Sequence, residues 1–256
     1  MKIQFLGVGA AFTTAQYYQS NLLLTSERGK KLLLDAGGDI RFALSEAGVP
    51  ASSLDGVYLS HQHADHIGGM EFLAYATFFD PSVPKLKLYV ERELATEVWE
   101  HSLRGGLSVV DDQPRGLNDF FEVRLLDLKQ SFVWEGWTFT LYKMPHVITK
   151  VGSIYSYGLL AERQGYPGFF FSSDSTFAPE ILKAVAPKVQ LIFHDCETRL
   201  PPTGVHCHYL ELKTLPQSVK SKLWAYHYQP DPPYQPQADG MLGFVKKGQE
   251  FHFKKS

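Results

Sequence analysis

Short apolar runs, broken at intervals by glycine, proline and asparagine, dominate this chain and predict strands near Lys2–Leu6, Asn21–Leu24 and Lys31–Leu34. A helical stripe formed by Ile40, Phe42, Ala43, Leu44 and Ala47 stops at Gly48 and Pro50, residue types that end helices. Met70–Phe79 predicts a second helix, closed by Asp80-Pro81, then a strand over Leu86–Val90 and a helix over about Glu91–Leu103. Strands recur near Phe121–Leu126, Trp137–Tyr142, Tyr155–Leu160, Phe169–Phe171, Leu191–Phe193 and Leu223–Tyr226, with helical segments near Pro179–Val185 and Tyr209–Leu215. Many strands with interspersed helices predict an α/β fold of two packed sheets covered on both outer faces, a four-layer αββα sandwich. No linker-like stretch divides the chain, so residues 1–256 are expected to form one domain.

The polar residues that follow the strands carry the chemistry. Val57-Tyr58-Leu59 runs into Ser60-His61-Gln62-His63-Ala64-Asp65-His66, placing three imidazoles and a carboxylate in one short turn. A neutral imidazole offers a lone pair and an aspartate can bridge cations, so such a cluster can hold two ions that share a water. His146, Asp174, His194 and His227 each follow an apolar strand in the same way. Open α/β sheets collect ligands outside the carboxyl ends of their strands. One such residue alone reads as a structural histidine or a helix cap; their repetition points to a metal centre.

Composition narrows the class without naming it. A chain of 256 residues, 44% hydrophobic and 14% aromatic, can bury one substantial core. Its formal net charge of -2 gives no global basic field for gripping long nucleic acid, which favours a small-molecule partner. Two cysteines, Cys196 and Cys207, are too few for a disulfide framework and are expected to be packed thiols in a reducing compartment. The chain opens with a strand pattern rather than a leader and has no apolar run of about 18 residues, which predicts a cytoplasmic protein with no membrane association.

These residues resemble the metallo-β-lactamase superfamily, whose HxHxDH signature is matched in full by His61, His63, Asp65 and His66. Phe5-Leu6-Gly7-Val8-Gly9-Ala10, Leu34-Asp35-Ala36-Gly37, His146, Ser173-Asp174-Ser175-Thr176 and His227 arrive in the family's order, so the resemblance covers nearly the whole chain. It implies two divalent ions, with His61, His63 and His146 holding one, Asp65, His66 and His227 the other, and Asp174 bridging both. Nitrogen and oxygen donors make zinc the default, with manganese and iron compatible. The aspartate at 174 and the FLGxG opening are similar to the phosphodiesterase branch that includes tRNase Z. In that branch His194-Asp195-Cys196-Glu197-Thr198 resembles the HEAT segment, and Gly204-Val205-His206 matches the GHST histidine. The implied catalytic residues are Asp65, Asp195 and His206: Asp195 orients His206, and His206 protonates the leaving oxygen. The chain departs from the pattern in having Asp195 for a glutamate, Cys207 for a serine and a second imidazole at His208.

A tRNase Z grips tRNA with a long basic arm rich in glycine and proline, and residues 80–145 carry no such pattern. Lys85, Lys87, Arg92, Arg104 and Arg115 are scattered there and offset by Asp111-Asp112. An armless chain of this kind looks most like the phage and bacterial anti-Pycsar phosphodiesterases. That resemblance implies hydrolysis of 3′,5′-cyclic nucleotides to nucleoside monophosphates, evasion of cyclic-nucleotide antiphage signalling, and a homodimer. Tyr17, Tyr18, Tyr228 and Tyr234 are candidates for stacking on the base. The proline-rich stretch 229–236 predicts a semi-rigid loop at the site mouth or in a dimer contact, with a plain surface loop as the alternative. An armless RNA-processing phosphodiesterase and a metal-containing cyclic-nucleotide binding protein without turnover remain as alternatives, with thioesterase or lactonase chemistry third.

Overall fold

The apolar runs pair into two seven-stranded sheets in the computed structural model, which describes residues 1–128 and 130–255. The first sheet is ordered Glu250–His252, Lys2–Phe5, Leu22–Thr25, Lys31–Leu34, Gly56–Leu59, Leu86–Glu91 and Phe121–Leu126, antiparallel up to Lys31–Leu34 and parallel beyond it. The second is ordered Gly243–Phe244, Leu223–Tyr226, Leu191–Asp195, Phe169–Phe171, Ser153–Glu162, Trp137–Ile148 and Phe132–Trp134. Its first four strands are parallel and the rest antiparallel. Each sheet therefore has a parallel half whose carboxyl ends open towards the same edge of the sandwich.

The faces that meet are almost wholly apolar. Phe5 packs its ring 5.1 Å from Phe193 and 5.8 Å from Tyr226. Tyr58, fully buried, donates its hydroxyl to Tyr157 O across the sheets at 2.6 Å. Each such side chain contributes about 1.5–3 kcal/mol by leaving water. Ile40, Leu44, Leu73, Leu94 and Val98, from the helices Ile40–Glu46, Met70–Phe78 and Arg92–Val98, join the core of the first sheet. A separate apolar cluster, including Phe170, Ile192 and Leu223, lies beneath the helices Pro179–Val185, Tyr209–Leu212 and Gln217–Lys220. This is the four-layer arrangement that the sequence pattern predicts.

Two differences from the sequence expectation bear on the site. The strand predicted to end at Tyr142 continues to Ile148, so His146 lies inside a strand rather than after it. Its pairing with Ser153–Glu162 shifts register between Pro145 and Val147. Pro145 has no N–H to give to a ladder, and the resulting bulge re-aims His146. The helix expected over Glu91–Leu103 is capped by Glu91, whose side chain accepts from Glu93 N and Leu94 N, and it widens into a π turn at Trp99–Leu103.

The region where a tRNA-gripping arm would emerge is folded onto the body. Leu103, Leu107, Val110 and Phe120 are buried. Val109–Val110 and Gln113–Pro114 form a hairpin whose two turn residues, Asp111 and Asp112, both have positive φ, as a tight hairpin turn demands. Among the described residues no helix is long and apolar enough to cross a membrane.

Candidate active site

The first sheet supplies its share of the site from one turn and one brace. Asp35, at the end of Lys31–Leu34, adopts φ 62°, which a short polar side chain tolerates better than a bulky one. Its Oδ1 accepts from Ser60 N at 2.8 Å, and its Oδ2 accepts from Ser60 Oγ at 2.7 Å and from His66 Nδ1 at 2.8 Å. Ser60 Oγ in turn lies 3.0 Å from His61 Nδ1. With Nδ1 of His61 and His66 engaged, both rings direct Nε2 into the site, the nitrogen that a metal ion would take. Sequence reading placed Asp35 in the family order but gave it no role, and it missed Ser60. Gly37 then passes so close that an added Cβ would lie 2.3 Å from Asp65 O, while Ala36 N donates to His66 O at 2.7 Å.

The second sheet contributes residues far apart in sequence. His146 donates Nδ1–H to Val205 O at 2.7 Å, leaving Nε2 3.0 Å from His63 Nδ1, which is itself 3.2 Å from His61 Nε2. Asp174 follows Phe169–Phe171 through Ser173, whose φ is 56°. Its Oδ2 lies 3.2 Å from His66 Nε2, 3.4 Å from His227 Nε2, 3.7 Å from His61 Nε2 and 3.9 Å from His146 Nε2. His227 leaves Leu223–Tyr226 with φ 61°, donates its backbone N–H to Val8 O, and places Nε2 3.3 Å from Asp65 Oδ2. Left-handed backbone at three non-glycine strand ends costs about 1–3 kcal/mol at each and collects where function holds it. The seven ligand candidates thus form two groups, His61/His63/His146 and Asp65/His66/Asp174/His227, with the donor atoms of each within 4.8 Å of one another.

Beside them stands the remaining predicted pair. Asp195 Oδ2 accepts from His206 Nδ1 at 2.8 Å and from Ser175 N at 2.9 Å, while Oδ1 is 3.4 Å from His227 Nδ1. His206 Nδ1 is also 3.8 Å from Asp174 Oδ2, and its side chain is 17% exposed. Engagement of Nδ1 leaves Nε2 as the nitrogen free to exchange a proton.

The electrostatics divide the site. Burial holds His61, His63 and His146 below the usual imidazole range, as neutral donors. Burial pushes His66 and His227 the same way, but Asp174 and the neighbouring carboxylates outweigh it and raise both, His227 to about 10. Burial also opposes charge on Asp65, Asp174 and Asp195, yet the adjacent imidazoles hold all three carboxyls below the ordinary range, Asp195 at about 2. His206 is raised despite its burial because Asp195 accepts from it. Buried carboxylates that raise the neighbouring rings are short of positive charge, and buried charges persist only when paired. His66 Nε2 and Asp174 Oδ1 are buried without a hydrogen-bond partner. Orphaned donor atoms, excess carboxylate and an all-nitrogen-and-oxygen donor set fit a dinuclear divalent-metal site.

Other sequence candidates fall outside it. His194 is buried with Nδ1 on Asp195 O and belongs to neither ligand group. His208 caps the helix Tyr209–Leu212: its Nδ1 accepts from Leu210 N, and its Nε2–H donates to Arg199 O, so it does not compete with His206. Cys196 and Cys207 are fully buried free thiols, pushed well above the usual range by burial. Tyr228 is core, its hydroxyl on Val245 O, so its ring is not open to a base, while half-buried Tyr234 has one face stacked on Tyr209 at 4.1 Å. Tyr17 ties the first loop to Asp231 of the proline-rich loop at 3.1 Å. Tyr18 lies under the Lys247 ammonium.

Comparison with known proteins gives this geometry its context. The family model described as anti-Pycsar protein Apyc1 matches residues 1–251. The anti-Pycsar protein Apyc1 of Bacillus phage vB_BveM-Goe7 is 32% identical over 258 aligned residues, covering 97% of each chain. Among solved structures, the metallo-β-lactamase-fold protein YhfI of Bacillus subtilis superposes with a TM-score of 0.74 at 18% identity, covering 98% of each chain. Human tRNase Z, short form, superposes with a TM-score of 0.70 at 17% identity, covering 98% of this chain and 99% of its own. The fold is the metallo-β-lactamase fold. Whole-length identity to phage and bacterial relatives, on a fold built around clustered histidines and aspartates, shows that the chain belongs to the anti-Pycsar Apyc1 family, cyclic-nucleotide-degrading phosphodiesterases that counter Pycsar antiphage signalling.

Proposed function

We propose that this chain hydrolyses 3′,5′-cyclic nucleotides to nucleoside monophosphates, with His61, His63 and His146 holding one divalent ion, Asp65, His66 and His227 a second, and Asp174 bridging them. Zinc suits this donor set and manganese is compatible with it. When bound, such a pair supplies Lewis-acid charge to the phosphoryl oxygens and lowers the pKa of a shared water towards neutrality. In the hydrolysis, water oxygen bonds to phosphorus as the bond from phosphorus to the ribose oxygen breaks. The leaving alkoxide needs a proton, which His206 gives from Nε2 while Asp195 holds Nδ1–H and stabilises the imidazolium. Asp35 and Ser60 keep His61 and His66 in the tautomer that binds.

The observation that carries this reading is the 2.8 Å contact between Asp195 and His206 beside Asp174. A metal-containing binding protein has no need of an oriented proton donor there. Residues 1–256 act as one domain in the cytoplasm, and the exposed parts of the loop 229–236 serve a homodimer contact. The test is chromatography of products from cyclic mononucleotides, cyclic dinucleotides and precursor tRNA, with added zinc or manganese. Nucleoside monophosphate from the cyclic mononucleotides is the expected product. Cleavage of precursor tRNA alone would replace the reading with an RNA-processing one, and binding without product would make the chain a sensor. His206→Ala is expected to keep its ions and lose on the order of 10²–10⁴ in turnover, the range for a positioned general acid. That loss should shrink sharply on bis(p-nitrophenyl) phosphate, whose leaving group needs no proton.

A further inference from the structure

The segment that brings His206 to the site is anchored at its far end, where Cys207 is buried and its carbonyl accepts from Glu197 N at 2.8 Å. Residues 199–204 are all exposed, so apolar burial does not decide the path of that stretch. Polar clamps take that role. At its start the side-chain oxygen of Gln229 accepts from Thr198 N at 2.6 Å, Thr198 Oγ1 at 3.0 Å and Arg199 N at 3.0 Å. Three donors on one atom fix the orientation of the amide. Further along, Glu197 Oε2 accepts from Thr203 N at 2.8 Å and Thr203 Oγ1 at 3.1 Å. The far end then delivers two groups: Val205 O, which takes Nδ1–H of His146, and His206, which rests on Asp195.

The clamps spring from the strand ends that carry the chemistry. Gln229 stands two residues beyond His227, and Glu197 two beyond Asp195. Neither belongs to the groups of donors around Asp174. We infer that Gln229 and Glu197 are positioning residues that hold the segment 198–206 so that His206 meets the leaving oxygen, an inference that rests on the proton-donor role proposed above. Because the clamps are side-chain hydrogen bonds to backbone N–H groups, losing one frees the segment without opening the core.

The experiment compares Gln229→Ala with Gln229→Glu, which keeps an acceptor oxygen, in the metal-loaded enzyme. In Gln229→Ala, amide hydrogen exchange over 198–206 should rise while the metal content holds. Turnover of a 3′,5′-cyclic nucleotide should fall about 10–100-fold with KM near that of the parent, the scale of a displacement of about 1 Å in a catalytic group. The loss on bis(p-nitrophenyl) phosphate should be several-fold smaller, and Gln229→Glu should recover most of it. Thr203→Val, which removes one donor to Glu197, should move the same readouts in the same direction. Unchanged exchange in Gln229→Ala, or equal losses on the two substrates, would overturn the inference. His206→Ala is the control that separates the two readings. Should it lose equally on both substrates, the proton-donor role fails, and the exchange measurement still decides whether Gln229 holds the segment.

Discussion

The two sheets build one polar centre in opposite ways. The first contributes four donors from a single turn, residues 61–66, and stiffens them with one carboxylate, Asp35, that reaches His66 directly and His61 through Ser60. The second contributes His146, Asp174, Asp195, His206 and His227 from a bulge, three strand ends and a loop, and two of the connections require left-handed backbone at Ser173 and His227. A sequence-local cluster needs only one brace from a neighbouring strand end to hold its shape. A dispersed one needs the whole sheet, and it alone holds the Asp195/His206 pair. On the proposed reading, metal capture would be shared between the halves, while proton delivery would belong to the second.

The most severe way to break this division is to remove the second-half residue that touches donors of both halves. Asp174 Oδ2 is within 4 Å of ring nitrogens from His61, His66, His146 and His227. Asp174→Ala is expected to abolish turnover and to lower bound metal from about two equivalents per chain, the complement of a two-metal site, to below one. Elemental analysis of protein purified without chelator reads the stoichiometry. Two equivalents retained in the folded variant would show that the halves bind independently and that Asp174 does not bridge.

The same contrast explains what the sequence could and could not reveal. Period-two strands and the HxHxDH turn are local patterns, so the four-layer fold and the first half of the site were legible from neighbouring residues. The second half was legible only as an order of histidines and aspartates along the chain, because its members meet through pairings such as Asp195↔Tyr226 that no short window contains. His194 illustrates the cost: it leaves the same strand as Asp195 but, one residue earlier, points to the other face, as strand alternation requires. The bulge at His146 and the brace at Asp35 also depended on tertiary partners, whereas His208 caps its helix through Leu210 and Glu211 close by in sequence.

A milder perturbation isolates the first half. In Asp35→Asn an amide NH2 would face the N–H of His66 and the hydroxyl of Ser60, donor against donor, so both rings would lose their fixed tautomer. Such braces behind metal-binding histidines are worth about 10–100-fold in metal affinity. The expectation is a loss of that size in a chelator competition, with turnover largely restored at saturating zinc and the leaving-group dependence of His206→Ala preserved in the double variant. A changed leaving-group dependence would mean that the brace also shapes the second half, and that the two constructions are not separable.

The smallest expected effect asks whether the second half uses its thiols at all. Cys207 adjoins His206 at the position where the tRNase Z pattern has a serine, yet its sulfur is fully buried and lies 3.9 Å from His208 O, a long contact even for a thiol donor. Burial raises both thiols well above the range in which thiolate forms near neutral pH, which removes them as nucleophiles and as ready metal ligands. Cys207→Ser would place a hydroxyl in an apolar pocket beside Tyr209 and Leu212, and its imperfectly satisfied hydrogen bond should cost about 1–3 kcal/mol of folding stability. For a chain of this size that lowers the melting midpoint by about 2–4 °C per kcal/mol. Turnover at 25 °C and metal content should stay at the parent values. If turnover fell with the midpoint unchanged, the thiol would be taking part in the placement of His206, and proton delivery would depend on packing as well as on Asp195.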